Sequence, residues 1–331
     1  MSIALSEQCN LNCTYCNVDK LSKKRIDPEL FLQQYRKKKS EYPNERFQID
    51  FFGGEPLLQW DLVQRITEEI KKDGNQLFMP TNGLLLNEER VDYLVKNNFR
   101  VSLSFDGLWQ DLNRPQHNST GSLKHYIEKR DLFKKIPDLE CHTMVSRGNY
   151  NLLENHLFIT ELLGINPDLT LVRDVGIWDQ EAVQKFNIGF SELVNWYIAN
   201  ADSVEVPGLI HHYLYHIILY TSKRVRVDFC GAGDHYFSFS ENKLIPCNRF
   251  KDDNSMIAKI PEYKLMKECE SCDVKNYCKK GCLFENIKNE GPIVELCDIY
   301  KHIYSELIRM VKELNGNSTF REYMQREIYD A

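Results

Sequence analysis

Cys9, Cys13 and Cys16 stand in a CxxxCxxC spacing directly after a short apolar run, Ile3 to Leu5. Three thiolates on one tight loop can hold three irons of a four-iron cubane and leave the fourth iron without a protein ligand. A structural zinc site would ask for a fourth ligand close by, and the nearest other cysteine is Cys141. A second set follows far down the chain: Cys230, Cys247, Cys269, Cys272, Cys278, Cys282 and Cys297, with CxxCxxxxxCxxxC at its centre. CxxC pairs are most often structural zinc ligands, yet seven cysteines divide awkwardly between two tetrahedral sites.

The elements that must position these residues are legible in the periodicity. Short apolar or alternating runs at Ile3 to Leu5, Phe47 to Phe52, Gln76 to Pro80, Arg100 to Phe105, Leu139 to Val145 and Leu169 to Arg173 predict six strands. Helix patterns lie between them, with Asp27-Pro28 and Asn87 as starts. Strand alternating with helix implies parallel pairing, in an open doubly wound sheet or an incomplete (β/α) barrel, and both gather chemistry at the strand C-terminal ends. The cysteine loop, Gly53-Gly54-Glu55-Pro56, Thr81-Asn82-Gly83 and Ser104-Phe105-Asp106-Gly107 all follow predicted strands. Helical spacing runs through about 179 to 221 and returns from 299 to 329, while the cysteine-rich stretch 228 to 297 has little apolar periodicity and needs metal to hold it. His212 and His216 lie one helical turn apart amid Tyr213, Leu214, Tyr215 and Ile217, which reads as a packed helix. The basic run Arg36 to Lys39 reads as the solvated face of the first helix, and Cys141 as a small buried apolar residue.

The chain has 331 residues, with 42 Lys and Arg against 48 Asp and Glu and a net charge of -6, so no sequence-wide basic field is present to hold nucleic acid. No apolar run approaches the roughly 18 residues of a membrane span, and no charged region with an apolar signal core follows Met1, so a cytoplasmic protein is expected. Eleven cysteines in such a chain argue for metal ligands or redox chemistry over disulfides.

The N-terminal loop, with the aromatic Tyr15 just before its last cysteine, resembles that of the radical S-adenosylmethionine (radical SAM) enzymes, and the likeness extends to Gly53-Gly54-Glu55-Pro56, their GGEP motif. The resemblance implies a partial (β/α)6 TIM-like barrel, an α/β fold, over residues 1–224. It implies a 4Fe-4S cluster on Cys9, Cys13 and Cys16, S-adenosylmethionine held by Glu55 through its ammonium, and further cofactor contacts from Tyr15, Gly53, Gly54, Pro56 and Asn82. Ser104 and Arg114 become candidates for the cofactor carboxylate and Asp106 for the ribose.

The second set resembles the seven-cysteine SPASM extension, expected over 225–300 and followed by a helical tail over 301–331. By that resemblance two auxiliary 4Fe-4S clusters follow, an outer one on Cys269, Cys272, Cys278 and Cys297 and an inner one on Cys230, Cys247 and Cys282, whose remaining iron is open or bound by Asp234 or His235. Asn242 stands where the relatives usually have glycine.

The implied chemistry is reductive cleavage of S-adenosylmethionine to a 5′-deoxyadenosyl radical that abstracts hydrogen from a ribosomally made peptide, leading to a thioether, carbon-carbon or carbon-oxygen cross-link. A peptide epimerase would need a hydrogen donor, for which Cys141 is the one cysteine left over. A sulfatase-maturing relative oxidising Cys or Ser to formylglycine typically carries an aspartate base where this chain has Asn248, which cannot accept a proton in the same way. A non-catalytic iron-sulfur electron carrier or peptide binder is the alternative outside enzymes. Expected partners are a peptide or small-protein substrate and a reducing system such as flavodoxin or ferredoxin. Since the cluster motif stands so near Met1, leader recognition is expected from the barrel rim, the tail or a separate leader-binding protein.

Overall fold

The computed structural model describes all residues except 19, 21, 223–230, 235, 265 and 331. The chain forms two compact units: Met1–His142 with Glu161–Ile165 and Ala232–Asn254, and Thr143–Thr160 with Asn166–Gly231 and Ser255–Ala331.

The first unit is built on a sheet. Strands β1 (Ser2–Ala4), β2 (Gln48–Phe52), β3 (Gln76–Thr81), β4 (Phe99–Ser104) and β5 (Leu139–Val145) pair in parallel in chain order. Between them run the helices Pro28–Glu41, Trp60–Ile70, Glu88–Lys96 and Leu123–Phe133. Their starts follow the sequence: the Asp27 carboxylate accepts from the Glu29 amide ahead of Pro28, and the Asn87 side chain accepts from the Arg90 amide. Ile3, Phe51, Met79, Val101 and Leu103 are fully buried, as parallel strands covered on both faces require. On the first helix, Phe31, Leu32 and Tyr35 face inward while Arg36 pairs with Glu69 and Lys38 with Glu41, so the basic run is a solvated face.

Past the cysteine-poor helices the chain returns to this sheet. Two further strands, β7 (Ser238–Ser240) and β8 (Lys243–Ile245), form a hairpin whose first strand pairs in parallel with β1. Its two-residue turn, Glu241-Asn242, has φ 48° and 61°, the left-handed pair that a tight hairpin demands. Asn242 replaces the glycine of the resembling motif with a gain, because its side-chain oxygen accepts from the Asp27 amide at 2.7 Å, beside the first helix start.

The second unit is largely helical. It contains the end of β5 and β6 (Asp168–Leu171), joined past β6 by a hydrogen bond from the Val172 amide to the Val145 carbonyl at 2.9 Å. The helices Gln180–Asn200, Gly208–Thr221, Val294–Glu313 and Ser318–Asp330 pack around Phe186, Phe190, Leu214, Ile303 and Leu307. His216 is buried on the second of these and its Nδ1 meets the Tyr304 hydroxyl at 3.0 Å, as the packed-helix reading expects. No helix among the described residues is long and apolar enough to cross a membrane.

Candidate active site

The loop after β1 carries Cys9, Cys13 and Cys16 and is clamped onto the segment after β4. The Asn12 amide donates to the Pro115 carbonyl at 2.7 Å and the Thr14 amide to the Asn113 carbonyl at 2.9 Å. Leu11 bridges Gln116, a His117 ring nitrogen lies 2.8 Å from the Cys9 carbonyl, and the Lys20 ammonium donates to the Cys13 carbonyl at 2.7 Å. Cys16 is exposed and the other two are half-buried. Burial pushes the Cys9 thiol up to about 12 and raises Cys13 as well, and each feels the neighbouring thiols. Thiols desolvated in this way resist ionisation until a cation binds them.

Glu55 follows β2 and is 2% exposed. One carboxylate oxygen accepts from the Leu57 amide at 3.0 Å and the Thr81 hydroxyl at 2.7 Å, and the other accepts from the Asn82 amide at 2.8 Å. Three donors leave lone-pair capacity for one more, so a buried anion is held in place with room for an ammonium. Burial raises its pKa, opposed by those same three hydrogen bonds. The glycines before it serve the protein's own packing: Gly53 has φ 137°, and a Cβ there would lie 2.2 Å from the Ser6 carbonyl oxygen, while one at Gly54 would lie 2.2 Å from the Glu7 and Gln8 carbonyl oxygens. Their bareness lets the Gly54 and Glu55 amides donate to the Ser6 and Gln8 carbonyls at 2.8 Å, fastening Glu55 to the strand end that leads into Cys9. Pro56 opens the short 3-10 turn capped by Glu55. Asn82 adds a side-chain contact to Cys9 Sγ at 3.9 Å and a hydrogen bond to Asn10 at 2.7 Å.

Asp106, Arg114 and Tyr15 come together in a buried network. Asp106 is fully buried; one of its oxygens accepts from the Tyr15 hydroxyl at 2.6 Å and from Asn113 at 3.0 Å, and the other pairs with the Arg114 guanidinium at 3.0 Å. Arg114 also lies over the Tyr15 ring, 5.4 Å from its centre. Sequence reasoning placed all three near a ligand; the geometry ties them to one another and to the cysteine loop. Ser104 ends β4, and its carbonyl accepts from the Tyr126 hydroxyl at 3.2 Å, which also donates to the Asn82 carbonyl at 2.7 Å. Tyr126, Asn113 and His117 carry no motif of their own in the sequence; only their place after β4 could have pointed to them. Cys141 is 1% exposed, with its sulfur 3.6 Å from the Phe105 carbonyl.

In the second unit, Cys269, Cys272, Cys278 and Cys297 line one cavity together with Val274, Leu296 and Tyr300. Burial pushes Cys278 up to about 12 and Cys297 to about 11, and the four thiols act on one another. The chemistry of that donor set fits a cubane with four protein ligands. Of the remaining three cysteines and their two alternatives, Cys230 and His235 lie outside the described residues, Cys247 and Asp234 belong to the first unit, and Cys282 caps the short helix Leu283–Lys288 in the second.

A parallel α/β core with a three-cysteine loop at one strand end and a buried carboxylate at the next defines an enzyme of the cluster-bearing barrel class. The chain belongs to the radical SAM superfamily, whose family model matches residues 3–147, and that family uses S-adenosylmethionine and a 4Fe-4S cluster. It is 30% identical to a cysteine-type anaerobic sulfatase-maturating enzyme of Clostridium perfringens over 90% of this chain and 93% of that protein. It is 22% identical to the radical SAM cyclopropyl synthase TigE of Paramaledivibacter caminithermalis over 95% of this chain and 75% of that protein. In fold it matches the structure of native anSMEcpe with bound AdoMet and Cp18Cys peptide, with a TM-score of 0.75 at 19% identity over 95% of this chain and 98% of that one.

Proposed function

We propose that this enzyme modifies a ribosomally made peptide, abstracting hydrogen from it and closing a thioether, carbon-carbon or carbon-oxygen cross-link. In this reading Cys9, Cys13 and Cys16 hold the cofactor-binding cluster, which with S-adenosylmethionine supplies the 5′-deoxyadenosyl radical. Glu55 holds the cofactor ammonium, its carboxyl group oriented by Thr81, Asn82 and Leu57. Asn82 steadies Cys9, and the Asp106–Arg114 pair with Tyr15 fixes the loop on which Cys13 and Cys16 sit.

The observation that carries the reading is the cavity framed by Cys269, Cys272, Cys278 and Cys297, joined in one chain to the N-terminal site. It supports an auxiliary cluster of the SPASM kind on those four residues; Cys230, Cys247 and Cys282 are assigned to a second by the sequence resemblance alone. Relatives that act on proteins and a structural neighbour with bound peptide support a peptide substrate. A flavodoxin- or ferredoxin-type reductant and a separate leader-binding protein are the partners this reading calls for.

A second reading, formylglycine formation, is favoured by the likeness to a sulfatase-maturating enzyme along nearly the whole chain. Against it stands Asn248, the residue after Cys247, whose side-chain oxygen is buried with no hydrogen-bond partner and whose amide cannot act as a base at neutral pH. Anaerobic turnover with a short Cys-rich or aromatic-rich peptide encoded beside this chain tests the choice by mass spectrometry. Loss of two hydrogens with an internal cross-link supports the first reading; an aldehyde in place of a Cys or Ser side chain supports the second and overturns the first.

A further inference from the structure

Phe52 ends β2 and is 36% exposed, although β2 has a paired strand on either side. No motif assigns it. A lone apolar side chain on an outer surface is ordinary, but a bare ring on an inner strand of a sheet is not. The register fixes which way it points. Ile3 pairs with Phe51 and with Phe239, and the Phe239 ring meets Phe31 of the first helix at 5.5 Å, so these residues share the face that this helix covers. Successive side chains of a strand alternate, so Ala4 and Phe52, paired with each other, face the opposite way.

On that opposite face the neighbours of Phe52 are small. Ala4 lies on one side. On the other, the pairing of Asp50 with Phe78, continued by two residues, sets Pro80 beside the ring, and Pro80 pairs in turn with Ser102. Ala4 and Ser102 are buried, and none of the three side chains is long enough to lie across a phenyl ring. The backbone beneath is held still: the Phe52 carbonyl accepts from the Leu5 amide at 2.9 Å, and the Gly54 amide donates to the Ser6 carbonyl at 2.8 Å. An apolar surface fixed in this way loses little freedom when a ligand settles on it.

We propose that Phe52 is a substrate-contact residue whose ring takes an apolar side chain of the peptide, at or beside the residue that is modified. A phenyl ring offers apolar area and an edge or face for stacking, whereas a polar side chain laid over it would give up water with no hydrogen bond in return. The place suits it, since parallel α/β folds gather ligands at the C-terminal ends of their strands, and Phe52 leads straight into Gly53, Gly54 and Glu55. Aliphatic and aromatic side chains share this chemistry. The inference rests on the peptide reading and names the class of residue that the site accepts, but the binding itself is measurable without turnover.

The test uses reconstituted holoenzyme with S-adenosylmethionine and no reductant, and three probes followed by ligand-observed NMR: N-acetylphenylalanine amide, N-acetylleucine amide and N-acetylasparagine amide. The asparagine side chain has nearly the shape of leucine without its apolar character. At least one apolar probe should bind about tenfold more tightly than the asparagine probe, and the better of the two tells an aromatic from an aliphatic preference. Phe52→Ser should weaken that binding about tenfold, as loss of the apolar area of one ring face implies, and Phe52→Leu should keep part of it. Iron content and cofactor affinity should be the same in both variants as in the wild type. Equal binding of the leucine and asparagine probes, no binding of either apolar probe, or full affinity in Phe52→Ser protein of normal iron content overturns the proposal. A matching loss of cofactor affinity in Phe52→Ser would assign the ring to the adenine of S-adenosylmethionine and overturn it as well. Failure to modify any peptide while apolar probes bind through Phe52 would instead count against the peptide reading and leave this result standing.

Discussion

Glu55 concentrates the physical argument at the scale of single residues. Three donors orient its carboxyl oxygens inside a low-dielectric site, and burial raises its pKa, so the charged form gains most when an ammonium binds beside it. Glu55→Gln is expected to weaken S-adenosylmethionine binding by about 2 to 5 kcal/mol, as for other desolvated charge pairs, with iron content unchanged. Equal affinity in a titration would reduce GGEP to a turn. The raised pKa also gives a sign to the pH dependence: as pH falls, the ligand-free carboxyl takes up its proton earlier than an ordinary glutamate, so cofactor affinity should decline on the acid side in the wild type and stay flat in Glu55→Gln. Cys16→Ala should abolish 5′-deoxyadenosine formation, since two thiolates do not keep the open iron in place. Glu55 was legible because its chemistry sits in a short motif after a strand. Asp106 and Arg114 were legible as residues near the site, but their partners were not: a buried ion pair eight residues apart, closed by Tyr15 from another loop, leaves no spacing in the sequence to read.

At the scale of elements, the strands and caps came from periodicity, and the β7–β8 hairpin did not, because three-residue strands are too short to show a period. Its pairing with β1 binds residues 90 or more positions beyond β5 to the sheet that carries the cysteine loop, a long-range choice decided by packing of Phe239 on Phe31. At Gly53 and Gly54 a Cβ would lie 2.2 Å from the backbone carbonyl oxygens of residues 6–8, with no flexible side chain there to yield. Gly54→Ala should push the segment off the Glu7 and Gln8 carbonyls and lower both iron loading and cofactor binding, whereas Gly74→Ala, where a Cβ meets nothing, should bear only its positive φ and leave iron loading intact. Iron content measured side by side separates the two. On the helix Leu152–Leu163, His156 is 5% exposed, its Nδ1 lacks a hydrogen-bond partner, and burial pushes its pKa down to about 4. A depressed folded-state pKa contributes stability that is present above the unfolded value near 6.5 and lost as pH falls toward 4, by about 1.4 kcal/mol per pH unit. His156→Leu should flatten that acid limb in chemical denaturation; an unchanged slope would mean that the ring is protonated in the fold.

For the whole molecule, cysteine arithmetic predicts how metal is distributed. Three cysteines of the first unit stand on the loop after β1 and four of the second line one cavity, two ligand sets on separate stretches of chain. Anaerobically reconstituted protein should bind about twelve irons if both auxiliary sites hold full cubanes, as four-iron stoichiometry requires. Replacing Cys9, Cys13 and Cys16 together by Ala should remove about four of them and all cofactor cleavage, with the remaining absorption unchanged. Replacing Cys269, Cys272, Cys278 and Cys297 together should also remove about four, but should lower the thermal stability as well. Among the described residues of 255–297 the buried apolar side chains are Ile260, Met266, Val274, Leu283, Ile287, Ile293 and Leu296, and a segment with so small a core leans on its metal for its fold. In that second variant, 5′-deoxyadenosine formation should persist while peptide modification stops, because the first cluster keeps its own ligands. Cofactor cleavage that disappears in both variants would mean that the two sets do not load independently. Zinc at stoichiometric levels without broad iron-sulfur absorption would return the 269–297 cysteines to a structural ribbon.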